Sequence, residues 1–280
     1  MADNQQEEAD KIRSNFVRQL IQRPNISLFP SLTLKNTPKR IVQFWDNLDR
    51  LPRDVSQCME TWRNLEDQGF KRLLFDKHKA GQFIYRKFGL RHKQAYDKCY
   101  HPAMQSDFFR LCYILIEGGC YIDADDVYQG PEMHHLFIDG RLKIQPLCYD
   151  AETHVMVPPR TFAKDGENAT SWIFYFNNNP LIASTGHPII QLALAQAVLY
   201  LEKDLTKSLP EIQSTTGPGN LTESIFNAIS KDEKLEQTIL ILSNWEDTVA
   251  NKWDLGYRND SRNWRLSNGQ YYIERNNNDI

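Results

Sequence analysis

One stretch constrains this chain more than any other: a helix-like run, two adjacent glycines and a short apolar strand that ends in aspartates. Over 105–117 the apolar residues Phe108, Leu111, Cys112 and Leu115 recur on one face of a helix. Gly118-Gly119 ends it where a left-handed turn is needed, and Cys120-Tyr121-Ile122 then runs as a strand into Asp123-Ala124-Asp125-Asp126. The stretches before it repeat the alternation. Residues 41–45 read as a buried strand stopped at Asp46-Asn47, Pro52 opens a helix to about residue 67, and 70–76 read as a second strand. Helical spacing returns over 78–88 and 93–100. Strands alternating with helices predict a mostly parallel sheet covered on both faces, an α/β protein.

The flanks are less regular. Ile12, Phe16, Leu20 and Ile21 place a helix over 12–22, stopped by Pro24, so residues 1–36 are expected to form an N-terminal helical arm and 37–280 one continuous domain. Strand-like pieces fall at 147–150, 154–157, 171–176 and 237–242, and Pro188 opens a long Ala/Leu helix to about residue 202. Thr216-Gly217-Pro218-Gly219 reads as a turn, with Asn220 as the N-cap of a helix over 221–229 and Glu223 at the reciprocal capping position. The acidic Gln/Glu start and the Asn-rich end, 276–280, read as frayed.

Composition narrows the class of function. Lys and Arg number 33 against 36 for Asp and Glu, a net charge of −3, which provides no broad basic field for a nucleic-acid backbone. The five cysteines, Cys58, Cys99, Cys112, Cys120 and Cys148, have neither the spacing of a zinc knuckle nor the density of a disulfide scaffold. No apolar run reaches the roughly 20 residues that span a bilayer, and the first ten residues are polar and acidic where a signal peptide would be basic and then apolar. A cytoplasmic protein with reduced thiols is the expectation, with no transmembrane segment and room for peripheral membrane association.

Asp123 and Asp125 stand two apart at a strand end, and in an extended chain such residues project to the same side. Ligands of open α/β sheets bind at the carboxyl ends of strands, and paired carboxylates there suit Mg²⁺ or Mn²⁺, with substrate phosphates or water completing the shell. Asp126 could replace or supplement Asp125, and a plain Asp-rich turn is the competing explanation. On the preceding helix Asp107 and Arg110 stand three apart, as either a sugar- and phosphate-binding pair or a solvated ion pair. His134-His135 are expected to be surface histidines, since adjacent side chains diverge.

The string Ser106-Asp107-x-x-Arg110 through Gly118-Gly119-x-Tyr121-Ile122-Asp123-Ala124-Asp125 resembles the nucleotide-sugar site of DXD glycosyltransferases related to initiation α-1,6-mannosyltransferase and to capsule polysaccharide transferases. More distantly it resembles the catalytic domain of clostridial glucosylating toxins. Pro38 to Trp45, Asn178 to His187-Pro188, and Thr216-Gly217-Pro218 resemble further segments of that family in order, so the likeness covers roughly residues 38 to 220. It implies a GT-A-like, Rossmann-type central sheet flanked by helices, and a metal-dependent transferase that moves a hexose from a UDP- or GDP-sugar to a hydroxyl acceptor with retention, in surface glycan synthesis. A toxin-like effector glycosylating a protein side chain, or a non-catalytic nucleotide-sugar or glycan binder, are the alternatives.

Position by position, the resemblance implies that Trp45 stacks on or flanks the base and that Asp107 and Arg110 hold ribose and donor sugar. Asp123 touches ribose or sugar hydroxyls and Asp125 ligates Mn²⁺ or Mg²⁺, with Asp123 counted beside it as metal ligand. Asp123, Asp125 and Arg110 form the catalytic set, and Tyr121 joins the donor site; Asn178, His187 and Gly217 are either donor-site residues or plain turn formers, and packing in the core is the alternative for Trp45. The chain departs from its relatives after the Thr-Gly-Pro turn, where Asn244-Trp245-Glu246 and Asn251-Lys252-Trp253 stand in place of a His and Trp segment.

Overall fold

A computed structural model describes residues 2–23, 35–164, 166–203, 208–252 and 254–270; Pro24, Trp253 and the Asn-rich end 276–280 lie outside the described residues. Helix α1 (Ala2–Gln22) starts well before the expected position and buries Val17, Leu20 and Ile21. The next elements are β1 (Arg40–Phe44), α2 (Arg53–Glu60), β2 (Lys71–Phe75), α3 (Lys77–Phe88), α4 (Leu90–Asp97) and α5 (Pro102–Glu117). The helix that follows β1 tightens into a 3-10 segment from Thr61. Beyond α5 come β3 (Gly119–Tyr121), β4 (Asp126–Tyr128), β5 (Leu142–Ile144), β6 (Pro146–Asp150), β7 (Val155–Val157), α6 (Pro159–Phe162), β8 (Trp172–Phe176) and β9 (Leu181–Ala183). The chain continues through α7 (Pro188–Glu202), α8 (Ile212–Thr215), α9 (Pro218–Lys231), β10 (Ile239–Ile241), β11 (Val249–Asn251) and α10 (Trp264–Ser267).

Six strands form a central sheet in the order β10-β5-β9-β3-β1-β2. β1 is parallel to β2 and β3, and β10 is parallel to β5, while β9 runs antiparallel to both β3 and β5. The α/β architecture with helices flanking a central sheet is therefore the expected one, mixed rather than purely parallel. Alternation along the strands sorts the side chains to two faces. Val42, Phe44, Tyr121, Leu181 and Ala183 join the core that packs under α5 and α7, and Ile41, Cys120, Ile122 and Ile182 join the core built with Trp62, Leu65 and Phe70. Two small sheets complete the fold, β7-β6-β8 and the antiparallel pair β11-β4.

α5 is not one-sided. From Met104 to Ile114 every residue except Ser106 is buried, because α3 and α7 flank the helix while it lies on the sheet. Its end is fixed by the glycine pair. Gly118 has φ 63° and Gly119 φ 117°, and a Cβ would lie 2.8 Å from Pro38 Cδ on the first and 2.9 Å from the Arg40 carbonyl oxygen on the second. Both the left-handed backbone and the close approach exclude a side chain.

The chain leaves β1 toward β2 on one side and returns to β3 on the other. This reversal of strand order opens a crevice at the carboxyl ends of β1 and β3, the position where open α/β sheets bind ligands. Trp45 follows β1 directly, and Asp123 follows β3 by two residues.

One local expectation is corrected. The α9 helix begins at Pro218 with Gly217 as N-cap, not at Leu221 after Asn220. Asn220 is fully buried with its Nδ2 donating to the Ala193 carbonyl at 3.0 Å, and Glu223 accepts from Gln196 and Tyr200. Pro at the first helical position, with no N–H to satisfy, sets the start.

Candidate active site

A cavity of about 780 Å³ occupies the crevice, and its walls include Trp45, Asp107, Arg110, Asp123, Asp125 and Asn178. Each arrives on a different support. α5 presents Asp107 and Arg110 from its buried first half, the loop after β3 presents the aspartates, and the segment between β8 and β9 presents Asn178 and Asn179.

Arg110 is the hub. Its Nη2 donates to Asp123 Oδ1 at 2.8 Å and to Ser106 Oγ at 2.9 Å, and lies 3.0 Å from Asp107 Oδ1. Nη1 donates to the Asn178 carbonyl at 2.9 Å and to its Oδ1 at 3.1 Å. Asn178 Nδ2 in turn donates to Asp107 Oδ1 at 2.8 Å. Arg110 is only 3% exposed and Asp107 7%, so the alternative of a solvated surface ion pair is replaced by a buried network. Burial opposes the guanidinium charge, but Asp123 and Asp107 outweigh it and hold Arg110 firmly protonated.

Tyr121 lies beneath this hub rather than on the cavity wall. Its ring centroid is 4.3 Å from Arg110 Cζ and its hydroxyl shares a 2.6 Å hydrogen bond with Ser106 Oγ. A cation over an aromatic face gains electrostatic attraction where solvent is excluded. Gly217 also acts from behind: a Cβ there would come within 3.2 Å of Asp107 Oδ2 and 3.0 Å of Gln213 Cα. The glycine lets the corner between α8 and α9 close onto Asp107.

The aspartates do not form the extended pair that their spacing suggested. β3 ends at Tyr121, and the chain turns back over Asp123 to Asp126, closed by an Asp126 N–H to Asp123 carbonyl bond of 3.3 Å. The three carboxylates converge on one cavity through the turn, with separate partners. Asp123 reaches Arg110. Asp125 Oδ2 accepts from Tyr257 Oη at 2.6 Å and from Arg258 Nη2. Asp126 is held by Asn179 Nδ2 at 2.7 Å and Asn251 Nδ2 at 3.3 Å, and its carbonyl accepts from Trp62 Nε1 at 2.9 Å.

This crowding has an electrostatic signature. Burial, then the neighbouring Asp125 and Asp107, push Asp123 up to about 6 against the pull of Arg110. Burial, then Asp125 and Asp123, hold Asp126 well above the ordinary carboxylate range. Hard oxygen donors that raise one another's proton affinity are a donor set that a divalent cation would relieve. Among the described residues no three His, Cys, Asp or Glu side chains are grouped so that they could hold a metal ion.

Trp45 extends from the end of β1, its N–H donating to the Phe75 carbonyl at 3.0 Å, and its ring meets Tyr257 edge to face at 5.3 Å. His187 is not brought to the cavity. It caps α7 at the amino-terminal end of the parallel strands, opposite the aspartates, because β9 runs antiparallel to β3 and delivers the chain there. Its Nε2 meets the Thr238 carbonyl at 3.1 Å, and burial lowers its pKa to about 4. Tyr257 and Arg258 escaped the sequence reading, and Asn251 entered it only within the departing segment 251–253; all three lie more than a hundred positions from Asp125 in an Asn-rich segment without periodicity.

Residues 52–137 match the family of glycosyltransferase sugar-binding regions containing the DXD motif. This DXD region holds Asp107, Arg110, Tyr121, Asp123 and Asp125, and leaves Trp45, Asn178, His187 and Gly217 outside. The initiation-specific alpha-1,6-mannosyltransferase of Schizosaccharomyces pombe is 23% identical over 202 residues, covering 69% of this chain and 49% of the relative. The chain thus spans about half the length of that curated relative. Among solved structures, the PaToxG glycosyltransferase superposes with a TM-score of 0.45 at 16% identity, over 82% of this chain and 80% of that one. The family and the Schizosaccharomyces pombe relative are glycosyltransferases, the resemblance expected from the residues. All five cysteines are buried free thiols, and among the described residues no helix is long and apolar enough to cross a membrane.

Proposed function

We propose that the chain transfers a hexose from a nucleoside diphosphate sugar to a hydroxyl acceptor, with Asp125 and Asp123 holding Mn²⁺ or Mg²⁺ against the donor diphosphate. The observation that carries this reading is the Asp107–Arg110–Asp123 network, buried at Asp107 and Arg110 and open to the cavity at Asp123, on the wall that also holds Asp125. A guanidinium clamped between two carboxylates and a side-chain amide fixes Asp123 in place, so that its second oxygen can order a sugar or ribose hydroxyl, with Asp107 holding the guanidinium from behind. Trp45, at the mouth of β1, offers an aromatic plane to a base.

When bound, the cation would neutralise charge that develops on the departing diphosphate. The chain's own groups do the rest of the work: Arg110 orients Asp123, Asn178 supports Arg110 and Asp107, and Asn179 receives the Asp123 N–H on its Oδ1 at 3.1 Å, which pins the turn. Retention at the anomeric carbon, a UDP or GDP donor and a role in surface glycan synthesis belong to the same proposal and rest on the likeness to the DXD family. The division into an N-terminal arm, 1–36, and a catalytic domain, 37–280, is part of the proposal too, and rests on the helical spacing before Pro24.

The test is a thermal-shift panel of UDP- and GDP-hexoses with and without Mn²⁺, followed by donor hydrolysis with the stabilising sugar. A ligand at 100 times its Kd stabilises the native state by about 2.7 kcal/mol, well within detection. One sugar nucleotide should stabilise the protein only with the metal, and Asp125→Asn should remove both the shift and the hydrolysis. Full activity in Asp125→Asn, or no shift with any sugar nucleotide, overturns the proposal.

A further inference from the structure

The second aspartate of the motif is the one most tightly held by basic and phenolic groups. Asp125 Oδ2 receives both Tyr257 Oη, at 2.6 Å, and Arg258 Nη2. The pair is nearly dry, with the Arg258 side chain 13% and the Asp125 side chain 11% exposed. Arg258 Nη2 also donates to Asn251 Oδ1 at 3.1 Å, and Asn251 Nδ2 donates to Asp126 Oδ1. A positive charge with its own hydrogen-bonded scaffold therefore sits on Oδ2 of the aspartate to which the proposed function assigns a divalent cation.

Resting on that reading of the site, we propose that Tyr257 and Arg258 form a resident competitor for the cation at Asp125, so that metal binding requires the guanidinium to leave. The backbone need not move. The 3-10 turn Gly256–Asn259 is anchored before the pair by Gly256 N–H on Asp54 Oδ2 at 2.8 Å, with Leu255 buried, and after it by Asn263 Nδ2 on the Arg258 carbonyl at 2.7 Å. For the cation to bind, the Arg258 side chain would leave Asp125 for the cavity that it already lines, and the Tyr257 hydroxyl would give up its hydrogen bond to the same oxygen. A guanidinium on one oxygen of a carboxylate repels a divalent ion on either oxygen, so the apparent metal affinity equals the intrinsic affinity scaled by the fraction of molecules with Asp125 released. The arrangement makes the site weak for a lone cation.

The experiment titrates Mn²⁺ alone into the full chain and reads free Mn²⁺ by electron paramagnetic resonance. Arg258→Gln should tighten Mn²⁺ binding by about tenfold, the gain expected if the competitor holds Asp125 nine-tenths of the time. Tyr257→Phe, which keeps the ring and loses one hydrogen bond, should tighten it by a smaller factor and provides the answer if Arg258→Gln does not fold. In the wild type, phenylglyoxal modification of Arg258, followed by mass spectrometry, should accelerate when Mn²⁺ is added. Unchanged or weaker Mn²⁺ binding in both variants, or modification indifferent to Mn²⁺, overturns the competitor. Asp125→Asn separates the two levels: if it leaves Mn²⁺ binding intact, the reading of Asp125 as metal ligand fails, whereas if it abolishes binding while Arg258 and Tyr257 variants change nothing, only the competitor fails.

Discussion

Arg110 Nη2 lies 2.8 Å from Asp123 Oδ1, joining the middle of α5 to the loop after β3 across a partly buried contact. Arg110 is 3% exposed and also neutralises the buried Asp107. Replacing Arg110 by Met leaves Asp107 without its counter-charge in a dry site, a change that costs about 3–5 kcal/mol when one partner of a buried pair is removed. Urea unfolding of Arg110→Met should show that loss. The double variant Arg110→Met with Asp107→Asn should recover part of it, because the uncompensated charge is gone.

The glycine pair separates two costs. Gly69, with φ 82°, has open space around a would-be Cβ, whereas Gly119, with φ 117°, would place one 2.9 Å from the Arg40 carbonyl oxygen. Gly69→Ala should cost about 1 kcal/mol from the left-handed backbone alone. Gly119→Ala adds a backbone clash inside the sheet and should cost about 3 kcal/mol or more by denaturant melts. Equal losses at the two positions would show that the approach of β3 to β1 is not constrained as described.

Tyr121 supports Arg110 in two ways that substitution can divide. Tyr121→Phe keeps the ring 4.3 Å below the guanidinium and loses the Ser106 hydrogen bond, a loss of about 1 kcal/mol. Tyr121→Leu loses the aromatic face as well and should cost a further 1–2 kcal/mol. Donor affinity, read by titration calorimetry, should fall more in Tyr121→Leu than in Tyr121→Phe, since the ring sets the position of Arg110.

His187 provides a pH test away from the cavity. Its folded pKa is lowered by burial to about 4 from an ordinary 6.5, so between those values the unfolded chain binds the proton and the folded chain resists it. Stability contributed by the neutral ring is complete above pH 6.5 and is lost as pH falls toward 4, up to about 3 kcal/mol. Unfolding free energies of wild type and His187→Gln, compared between pH 7 and 4.5, should converge as the pH drops. A difference independent of pH would mean that the ring is not held neutral.

Much of the scaffold could be read from the chain because its signals are local. The strand at Ile41 to Phe44, the helix ending at Gly118-Gly119 and the strand into Ile122 all announce themselves through spacing and glycine. Asp107, Arg110, Asp123 and Asp125 do share one cavity wall. The errors share one cause, contacts between distant segments. Asn220 looks like a helix cap and instead bonds the Ala193 carbonyl of α7; His187 sits beside a segment likened to the donor site, yet β9 runs antiparallel and carries it to the opposite end of the sheet. Tyr257 and Arg258 had no local signal, because their significance lies wholly in which carboxylate they meet.

The ladder between β4 and β11 pairs Asp126 with Asn251 and Tyr128 with Val249. The aspartate turn therefore leaves the main sheet by entering a second, two-stranded one, whose other strand leads within seven residues to Arg258. Transplanting residues 118–126 into another α/β scaffold would carry the carboxylates without the ribbon that aligns them. A working graft would have to include 249–258 as well, so the aspartate turn is aligned by a segment more than a hundred residues away and not by its own contiguous motif.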